Sequence, residues 1–220
     1  MQQKPADSEQ LQVRLRHVRW IGGGSGAGKS TIARQLAADY GLRLYDTDDM
    51  MTEHVRRANP SDTPLLHDFL AMDMDERWAN RSPDVMLQTF PWFAGEGFDL
   101  IEEDLLALPV GAPILVEGFR LLPRLVAPLL SYPRQAVWLV PTPEFRHSAF
   151  DSRGFTWEIP KKTSKPEQAL SNLLIRDQLF TEEVAKEATA LQLRIVEVNG
   201  ALSISELTGR VADHLGLSVH

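Results

Sequence analysis

A glycine-rich run close to the amino terminus constrains the fold of this chain more than any other segment. Residues 23–31 fit the phosphate-binding pattern G-x-x-x-x-G-K-[ST], with a threonine after it. Apolar residues precede the run as they would in a strand, and apolar residues at helical spacing follow it. The pattern therefore predicts a strand, a phosphate-binding loop and a helix in direct succession. The predicted loop consists of Gly23, Gly24, Ser25, Gly26, Ala27, Gly28, Lys29, Ser30 and Thr31.

The residue types in this loop match the chemistry of a nucleoside triphosphate. Glycine lets successive backbone N–H groups turn toward phosphate oxygens that a Cβ atom would obstruct. Lys29 supplies a positive charge for the β- and γ-phosphates, and the Ser30 hydroxyl can hold Mg²⁺. The following helix would point the positive end of its dipole at the phosphates. A flexible glycine-rich turn is the alternative, but the Lys-Ser pair in register disfavours it.

Composition and charge narrow the class of protein. The net charge is −7 and the pI about 5.4, which argues against a nucleic-acid partner held by a basic surface. The absence of cysteine excludes disulfides and thiolate metal sites and suits a reducing cytoplasm. The sequence shows neither the apolar core of a signal peptide nor an apolar stretch as long as a membrane span. We therefore expect a cytoplasmic protein without nucleic-acid or membrane partners, and the sequence does not reveal its oligomeric state.

Strand and helix patterns alternate along the chain, which predicts an α/β fold with a mainly parallel sheet of five strands. The length of 220 residues fits a single domain. We expect residues 1–11 to form a flexible tail, residues 49–110 a helical insertion and residues 141–166 a mobile loop. The strands are predicted near residues 13–21, 42–45, 112–116, 135–140 and 194–198, with helical segments near 31–40, 50–108, 121–130, 167–191 and 203–215.

Three acidic residues follow predicted strands, at the edge where parallel sheets bind their ligands. Asp46 and Asp48 come after the second strand, and Glu117 ends the third. Because Asp46 and Asp48 are two residues apart, both would face the same side in extended backbone. One of them could serve a Mg²⁺ ion while the other orients or deprotonates a substrate hydroxyl. Capping of the next helix is the structural alternative for the aspartates, and a salt bridge is the alternative for Glu117.

With these segments together, residues 13–217 resemble the nucleoside-monophosphate and shikimate kinase group of P-loop proteins. The resemblance implies a three-layer α/β/α fold with a helical acceptor-side insertion and a lid. Asp46-Thr47-Asp48 looks like the Asp-x-Asp of shikimate kinases. It implies that Asp46 serves the Mg²⁺ shell and that Asp48 contacts the acceptor hydroxyl.

A second run carries part of the resemblance. Residues 115–120 read Leu-Val-Glu-Gly-Phe-Arg and are similar to the adenylate-kinase run Leu-Asp-Gly-Phe-Pro-Arg. Glu117 replaces the aspartate of that run and is the candidate for a second acidic group at the metal. No proline precedes Arg120, so the similarity gives little support to monophosphate binding by this arginine.

The resemblance also implies arginines that contact phosphate groups. Kinases of this group carry arginines in the lid after the fourth strand, where Arg146 and Arg153 lie in this sequence. Arg176 lies in the following helix, where such kinases often place a further arginine that contacts phosphate. Guanidinium groups neutralise charge that develops on a transferred phosphoryl group while a closed lid excludes water. A solvated surface charge is the alternative for each of the three.

Aromatic and methionine residues are concentrated between residues 64 and 108, and this segment has two interpretations. The rings could line the pocket of an acceptor molecule. Packing of the insertion's own small core is the interpretation that the sequence favours. The residues concerned are Phe69, Met72, Met74, Trp78, Met86, Phe90, Trp92, Phe93 and Phe98.

The leading functional hypothesis is an ATP-dependent small-molecule kinase. It would transfer the γ-phosphoryl group of Mg-ATP to a hydroxyl or phosphate of a small metabolite, a nucleoside or nucleotide, or an antibiotic. The alternative is a nucleotide-binding regulatory ATPase or switch protein. The chain lacks the Asn-Lys-x-Asp motif of GTPases and the Leu-Ser-Gly-Gly motif of transporter ATPases, which disfavours that alternative. The sequence does not name the phosphoryl acceptor.

Overall fold

The sheet has the parallel architecture that the sequence predicted. The structure is a computed structural model that describes residues 5–109, 113–146, 148 and 158–218. Its strands are β1 (Val18–Gly23), β2 (Arg43–Asp46), β3 (Ile114–Glu117), β4 (Ala136–Pro141) and β5 (Arg194–Val198). Within the described ranges these five strands are parallel and lie in the order β2-β3-β1-β4-β5. The predicted α/β fold with a five-stranded parallel sheet is therefore confirmed.

Helices connect the strands and flank the sheet. None of the helices in the described part of the chain combines the length and hydropathy that a membrane crossing requires. Short 3₁₀ helices cover Ala127–Leu129 and Pro133–Gln135. The α-helices are α1 (Pro5–Arg14), α2 (Lys29–Tyr40), α3 (Met51–Arg57), α4 (Pro64–Ala71), α5 (Met74–Trp78), α6 (Pro83–Thr89), α7 (Pro91–Ala94), α8 (Phe98–Ala107), α9 (Pro123–Val126), α10 (Glu158–Lys161), α11 (Pro166–Ala190) and α12 (Ile204–Leu215).

The core shows the three layers that the resemblance implied. Successive residues of a strand point to opposite faces of the sheet. Val116 of β3 belongs to a hydrophobic cluster that includes Phe180 of α11. Its neighbour Leu115 belongs to a second cluster, which includes Ile32 of α2 and Val211 of α12. Strand β3 is thus buried on both faces, as a central strand of a parallel sheet must be.

The amino-terminal segment differs from the prediction. Residues 5–11 were expected to be a flexible tail, but they belong to helix α1. The first strand begins at Val18 and not at residue 13. Leu11 and Leu15 pack into the hydrophobic core, and this contact holds the helix in place. The sequence did not indicate helix α1, because the apolar contacts that stabilise it are made with the core of the folded protein.

Prolines divide the predicted helical insertion into short helices. Pro64, Pro83 and Pro91 lie in the first turns of α4, α6 and α7. An N–H group in the first turn has no partner within its helix, so a proline there loses no intrahelical hydrogen bond. The Ser82 hydroxyl caps α6 by accepting a hydrogen bond from the backbone N–H of Val85. The insertion is helical as predicted, in short segments that turn repeatedly.

A close backbone approach joins the ends of β2 and β3. The N–H of Thr47 donates to the carbonyl of Glu117 over 2.9 Å. Gly118 has φ +148°, and a Cβ atom added to it would lie 1.7 Å from Oγ1 of Thr47. Gly118 therefore meets two requirements at once, a left-handed backbone and room for the neighbouring side chain.

We expect Gly118→Ala to destabilise the protein by about 2–4 kcal/mol, because a methyl group adds both backbone strain and overpacking. Urea unfolding measures the change in the free energy of unfolding. Gly209→Ala in α12 is the matched control, since a Cβ atom there would meet nothing within 4 Å. That control should gain up to about 1 kcal/mol from helix propensity. Equal effects of the two substitutions would contradict the role of the close approach.

Candidate active site

The phosphate-binding loop lies between β1 and α2, as predicted. Gly26 and Gly28 have φ values of +82° and +79°, in the left-handed region that favours glycine. Gly28 directly precedes α2. The first backbone N–H groups of that helix have no partners within the helix and are therefore suited to bind an anion.

The glycines at the start of the loop let it pack against the sheet and helix α11. A Cβ atom on Gly23 would lie 2.0 Å from the carbonyl oxygen of Leu139 in β4. A Cβ atom on Gly24 would lie 2.5 Å from Oγ1 of Thr181 in α11. The backbone N–H of Gly24 donates to the Leu139 carbonyl over 3.0 Å. These contacts fix the loop against strand β4 and helix α11.

Lys29 places its charge inside the curve of the loop. The side chain is buried, and its Nζ donates to the carbonyl of Gly24 over 2.9 Å. The ammonium group lowers the pKa values of both Asp48 and Glu117, against the larger opposing effect of desolvation. Its charge therefore acts on two of the three predicted carboxylates.

The strand register brings the predicted acidic residues together. Asp46 is paired with Glu117 across β2 and β3, and Ile21 of β1 is paired with Glu117 on the other side. Asp46 Oδ1 accepts hydrogen bonds from the backbone N–H groups of Asp48 at 2.9 Å and Asp49 at 3.4 Å. Asp46 therefore stabilises the turn that positions Asp48, which resembles the capping role considered from the sequence.

Glu117 is a buried carboxylate with an unusual environment. Neither of its oxygens has a hydrogen-bond partner of good geometry among the described residues. Desolvation raises its pKa to about 7, although the nearby Ser30 hydroxyl and Lys29 both favour the charged form. The salt bridge considered from the sequence is not formed within the described part of the chain. A buried carboxylate of this kind calls for a cation or a hydrogen-bond donor from outside the chain.

Ser30, Asp46 and Glu117 fit a Mg²⁺ ion that is shared with a nucleotide. No group of three or more His, Asp or Glu residues within the described ranges is arranged to hold a metal by itself. Mg²⁺ commonly binds through one or two carboxylates together with substrate phosphates and water. The unpartnered oxygens of Glu117 beside the Ser30 hydroxyl match that requirement.

Asp48 lies where the loop meets a cavity. Its side chain is exposed at the mouth of the cavity and lines it together with Lys29. Thr47 Oγ1 donates a hydrogen bond to Asp48 Oδ1 over 3.3 Å. The surrounding protein raises the pKa of Asp48 by desolvation, an effect that Lys29 opposes and Asp46 reinforces. Asp48 is thus a carboxylate that can accept a proton beside the phosphate loop.

The cavity beyond Asp48 has a volume of about 460 Å³, within the roughly 300–1,000 Å³ typical of small-molecule sites. Four rings of the aromatic segment belong to the hydrophobic core, as the sequence favoured, and also line the cavity: Trp78, Phe90, Trp92 and Phe93. The described lining consists of Ser25, Gly26, Lys29, Ser30, Asp48, Met51, Phe69, Trp78, Phe90, Trp92, Phe93, Phe119, Ile159, Arg176, Asp177 and Phe180.

The three predicted arginines have different positions. Arg176 lines the cavity, in contact with its rings. Arg146 is buried and donates to the carbonyl of Leu174 in α11 over 3.2 Å, beside a separate recess. Arg153 falls in residues 149–157 of the predicted lid and lies outside the described residues. The structure therefore brings Arg176 to the cavity that Asp48 borders and does not bring Arg146 there.

A buried polar network behind Thr47 was not predicted. The guanidinium of Arg120 lies 4.4 Å from the ring centroid of Trp92 and donates to Nδ1 of His54 over 2.7 Å. It also contacts the carbonyl oxygen of Thr47 at 3.3 Å. His54 Nε2 donates to Asp104 over 2.9 Å, and desolvation lowers the pKa of this histidine. Arg120 therefore supports the Asp48 turn from inside the protein and is not part of the described cavity lining.

Comparison with protein families gives one match. The family model described as Shikimate kinase matches residues 25–61, a segment that contains most of the phosphate loop and both Asp46 and Asp48. This match indicates a kinase. It confirms the predicted resemblance to P-loop small-molecule kinases in the segment that carries their phosphate loop, and with it the phosphotransferase class. No curated protein matches the chain.

Two solved structures are similar to the chain over most of their length. A gluconokinase from Sinorhizobium meliloti 1021 is 17% identical, with 92% of this chain and 93% of that chain covered and a TM-score of 0.49. An uncharacterized protein from Eubacterium ventriosum ATCC 27560 is 12% identical, with 91% and 98% covered and a TM-score of 0.46. Because both identities are low and both TM-scores lie below 0.5, neither structure indicates the activity of this chain.

The raised pKa of Glu117 predicts a pH-dependent stability. The pKa is about 7 in the folded protein and near 4.5 in the unfolded chain. Protonated Glu117 therefore stabilises the fold below pH 4.5, and this contribution is lost as the pH rises through 7. In protein without metal or nucleotide, Glu117→Gln should be more stable than wild type at pH 8, by on the order of 1–3 kcal/mol, and similar at pH 4.5.

Urea unfolding at both pH values measures this difference. The control is Glu183→Gln, which changes an exposed glutamate of α11. It should leave the pH dependence of the unfolding free energy unchanged. A Glu117→Gln variant with the same pH dependence as wild type would show that Glu117 titrates normally.

Proposed function

We propose that this chain is an ATP-dependent kinase that transfers the γ-phosphoryl group of Mg-ATP to a hydroxyl group of a small molecule. The observation that carries the proposal is the position of Asp48. This carboxylate borders both the phosphate loop and a cavity of acceptor size. A hydroxyl acceptor is favoured over a phosphate because, besides Lys29, the described lining offers a single cationic residue, Arg176.

The reaction needs little covalent participation by the protein. The oxygen of the acceptor hydroxyl forms a bond to the γ-phosphorus as the bond from that phosphorus to the β,γ-bridging oxygen breaks. ADP leaves with the bridging oxygen, and the hydroxyl proton passes to Asp48. Lys29 and the loop N–H groups orient the phosphates and stabilise the negative charge that develops on the transferred group.

Mg²⁺ would be held by Ser30, Asp46 and Glu117 together with the nucleotide phosphates. When bound, it neutralises phosphate charge and orients the γ-phosphoryl group. The burial of Glu117 and its unpartnered oxygens support this assignment. Asp46 contributes mainly by fixing the turn that carries Asp48.

Arg146 and Arg153 remain predictions based on the resemblance. In this proposal they belong to a lid that closes over the bound nucleotide and excludes water. Dependence on ATP and the absence of cysteine also agree with a cytoplasmic location.

Lys29→Met should lower the rate of phosphoryl transfer by at least about 10²–10³-fold, because it removes a preorganised charge from the transferred group. The measurement is ADP release from Mg-ATP in the presence of nucleosides, nucleoside monophosphates, polyols, sugars and hydroxylated antibiotics. Lys186→Met, on the exposed surface of α11, is the control and should retain full activity. Full activity of Lys29→Met in a folded protein would exclude the proposed function.

Asp48→Asn should reduce acceptor phosphorylation by about 10²–10⁴-fold and leave the Kd for ATP nearly unchanged. Because desolvation raises the pKa of Asp48, kcat/KM of the wild type should rise with pH above the ordinary carboxylate range. Asp49→Asn is the matched control, since Asp49 is exposed and does not line the cavity. If Asp48→Asn weakened ATP binding as much as it slowed transfer, Asp48 would have a role in nucleotide binding or in the fold and not in proton transfer.

A further inference from the structure

Six aromatic side chains form a connected cluster along the active-site cavity. Phe93 and Phe180 stack with their ring centroids 3.7 Å apart. Phe90 meets Phe93 edge to face at 4.7 Å. The cluster, here named the ring cage, consists of Phe69, Trp78, Phe90, Phe93, Phe119 and Phe180, all of which line the cavity.

The ring cage favours an acceptor with a flat, apolar body. Aromatic rings pack favourably against other rings in stacked and edge-to-face arrangements. A polyhydroxylated acceptor would bury several hydroxyl groups against carbon, which is unfavourable without hydrogen-bond partners. Besides the phosphate loop and Asp48, the polar residues of the described lining are Arg176 and Asp177. These two side chains suffice for one or two polar groups of an acceptor and not for a set of hydroxyls.

Arg176 offers a hydrogen-bond donor at the ring cage. Its Nε and Nη2 donate to Oδ1 of Asp177 over 3.0 and 2.6 Å. Its Nη1 is buried and has no hydrogen-bond partner among the described residues. The guanidinium lies 5.1 Å from the ring centroid of Trp78 and 4.7 Å from that of Phe90. A buried donor without an acceptor is rare, so Nη1 is suited to an oxygen atom of a ligand.

Among the described residues, the charges that line the cavity disfavour an anionic acceptor. Asp177 already forms an ion pair with Arg176 at 2.6 Å. Lys29 lies in the phosphate loop, where the nucleotide requires its charge. Asp48 and the γ-phosphate both add negative charge near the acceptor. A carboxylate on the acceptor would therefore meet like charges, which is unfavourable.

From these contacts we propose that the acceptor is an uncharged alcohol that carries an aromatic ring. The ring packs in the ring cage, the hydroxyl lies at Asp48, and a carbonyl or ether oxygen accepts a hydrogen bond from Nη1 of Arg176. Nη1 is buried, so binding of that oxygen requires a neighbouring side chain to move. The proposal rests on the proposed kinase function and names its substrate class. It assigns Arg176 to the acceptor, whereas the resemblance implied a contact with phosphate.

The test compares small alcohols that have or lack the features which the proposal requires. Phenyllactamide has a ring, a hydroxyl and an uncharged carbonyl. Phenyllactate carries a carboxylate in place of the amide, phenylethanol lacks the second oxygen, and gluconate and shikimate lack the aromatic ring. The full chain is assayed for ADP release and phosphoester formation, and binding is measured separately by tryptophan fluorescence. We expect kcat/KM for phenyllactamide to exceed that for phenyllactate, gluconate and shikimate by at least about tenfold.

Variants test the two parts of the cavity separately. Phe69→Leu should weaken binding of phenyllactamide by about tenfold, because Phe69 is half-buried in the ring cage. Phe98→Leu is the matched control, since Phe98 is buried in the same core cluster and does not line the cavity. Arg176→Lys should lower kcat/KM for phenyllactamide more than for phenylethanol, because only phenyllactamide offers a second oxygen to Nη1 of Arg176. Trp78→Phe should reduce the fluorescence change on binding, and the remaining change should come from Trp92, which also lines the cavity.

The possible outcomes test the proposed substrate class and the proposed kinase function separately. Preferred phosphorylation of phenyllactamide, with the expected losses in the variants, supports both proposals. Better phosphorylation of gluconate, shikimate or phenyllactate leaves the kinase function intact and overturns the substrate class. Binding of the ring alcohols at the Trp78 site without transfer to any alcohol supports the ring-binding site and contradicts the kinase function. Absence of ring-alcohol binding overturns the substrate class directly.

Discussion

The electrostatic relation between Lys29 and the carboxylates at the strand ends determines the form of the active site. One ammonium group in the phosphate loop faces a set of acidic side chains that desolvation alone would drive toward their neutral forms. The charge of Lys29 lowers the pKa values of Asp48 and Glu117, although desolvation outweighs it at both residues. Under the proposed function, a loop that binds phosphate anions thus lies next to groups that hold a divalent cation and accept a proton.

Residues 117–120, at the end of β3, connect these charged groups to the part of the site where an acceptor would bind. Glu117 faces the loop, and Gly118 lets Thr47 approach the backbone closely. Phe119 then lines the cavity, while Arg120 turns inward to support the carbonyl of Thr47. Four consecutive residues therefore contribute to the proposed metal site, to the turn that carries Asp48, to the cavity wall and to the interior network. A displacement of this segment would affect all four.

Local sequence patterns predicted the strands and the phosphate loop of the site, but not the contacts between distant residues that surround them. The phosphate loop and strand β5 lie where the sequence placed them, because glycine spacing and a run of apolar residues are local signals. Helix α1 was missed because its residue Leu11 contacts a core that exists only in the folded protein. The hydrogen bond between Arg120 and His54 joins residues that are 66 positions apart, and no local sequence pattern predicts such a pair. The aromatic residues between 64 and 108 also make contacts across separate segments, so the sequence favoured core packing for them without excluding a pocket.

The composition of the ring cage has a consequence for how this protein could diversify. Its rings come from α4, α5, α7, α11 and the segments beside α7 and β3, whereas the phosphate loop is one contiguous run fixed against β4 and Thr181. Under the proposed function, exchange of a ring on α4 or α5 would change the cavity wall without altering the contacts that hold the loop against β4 and α11. Exchange of Phe180 would also act on the loop, because its neighbour Thr181 packs against Gly24. Acceptor preference could therefore diverge more freely at the short helices than at α11.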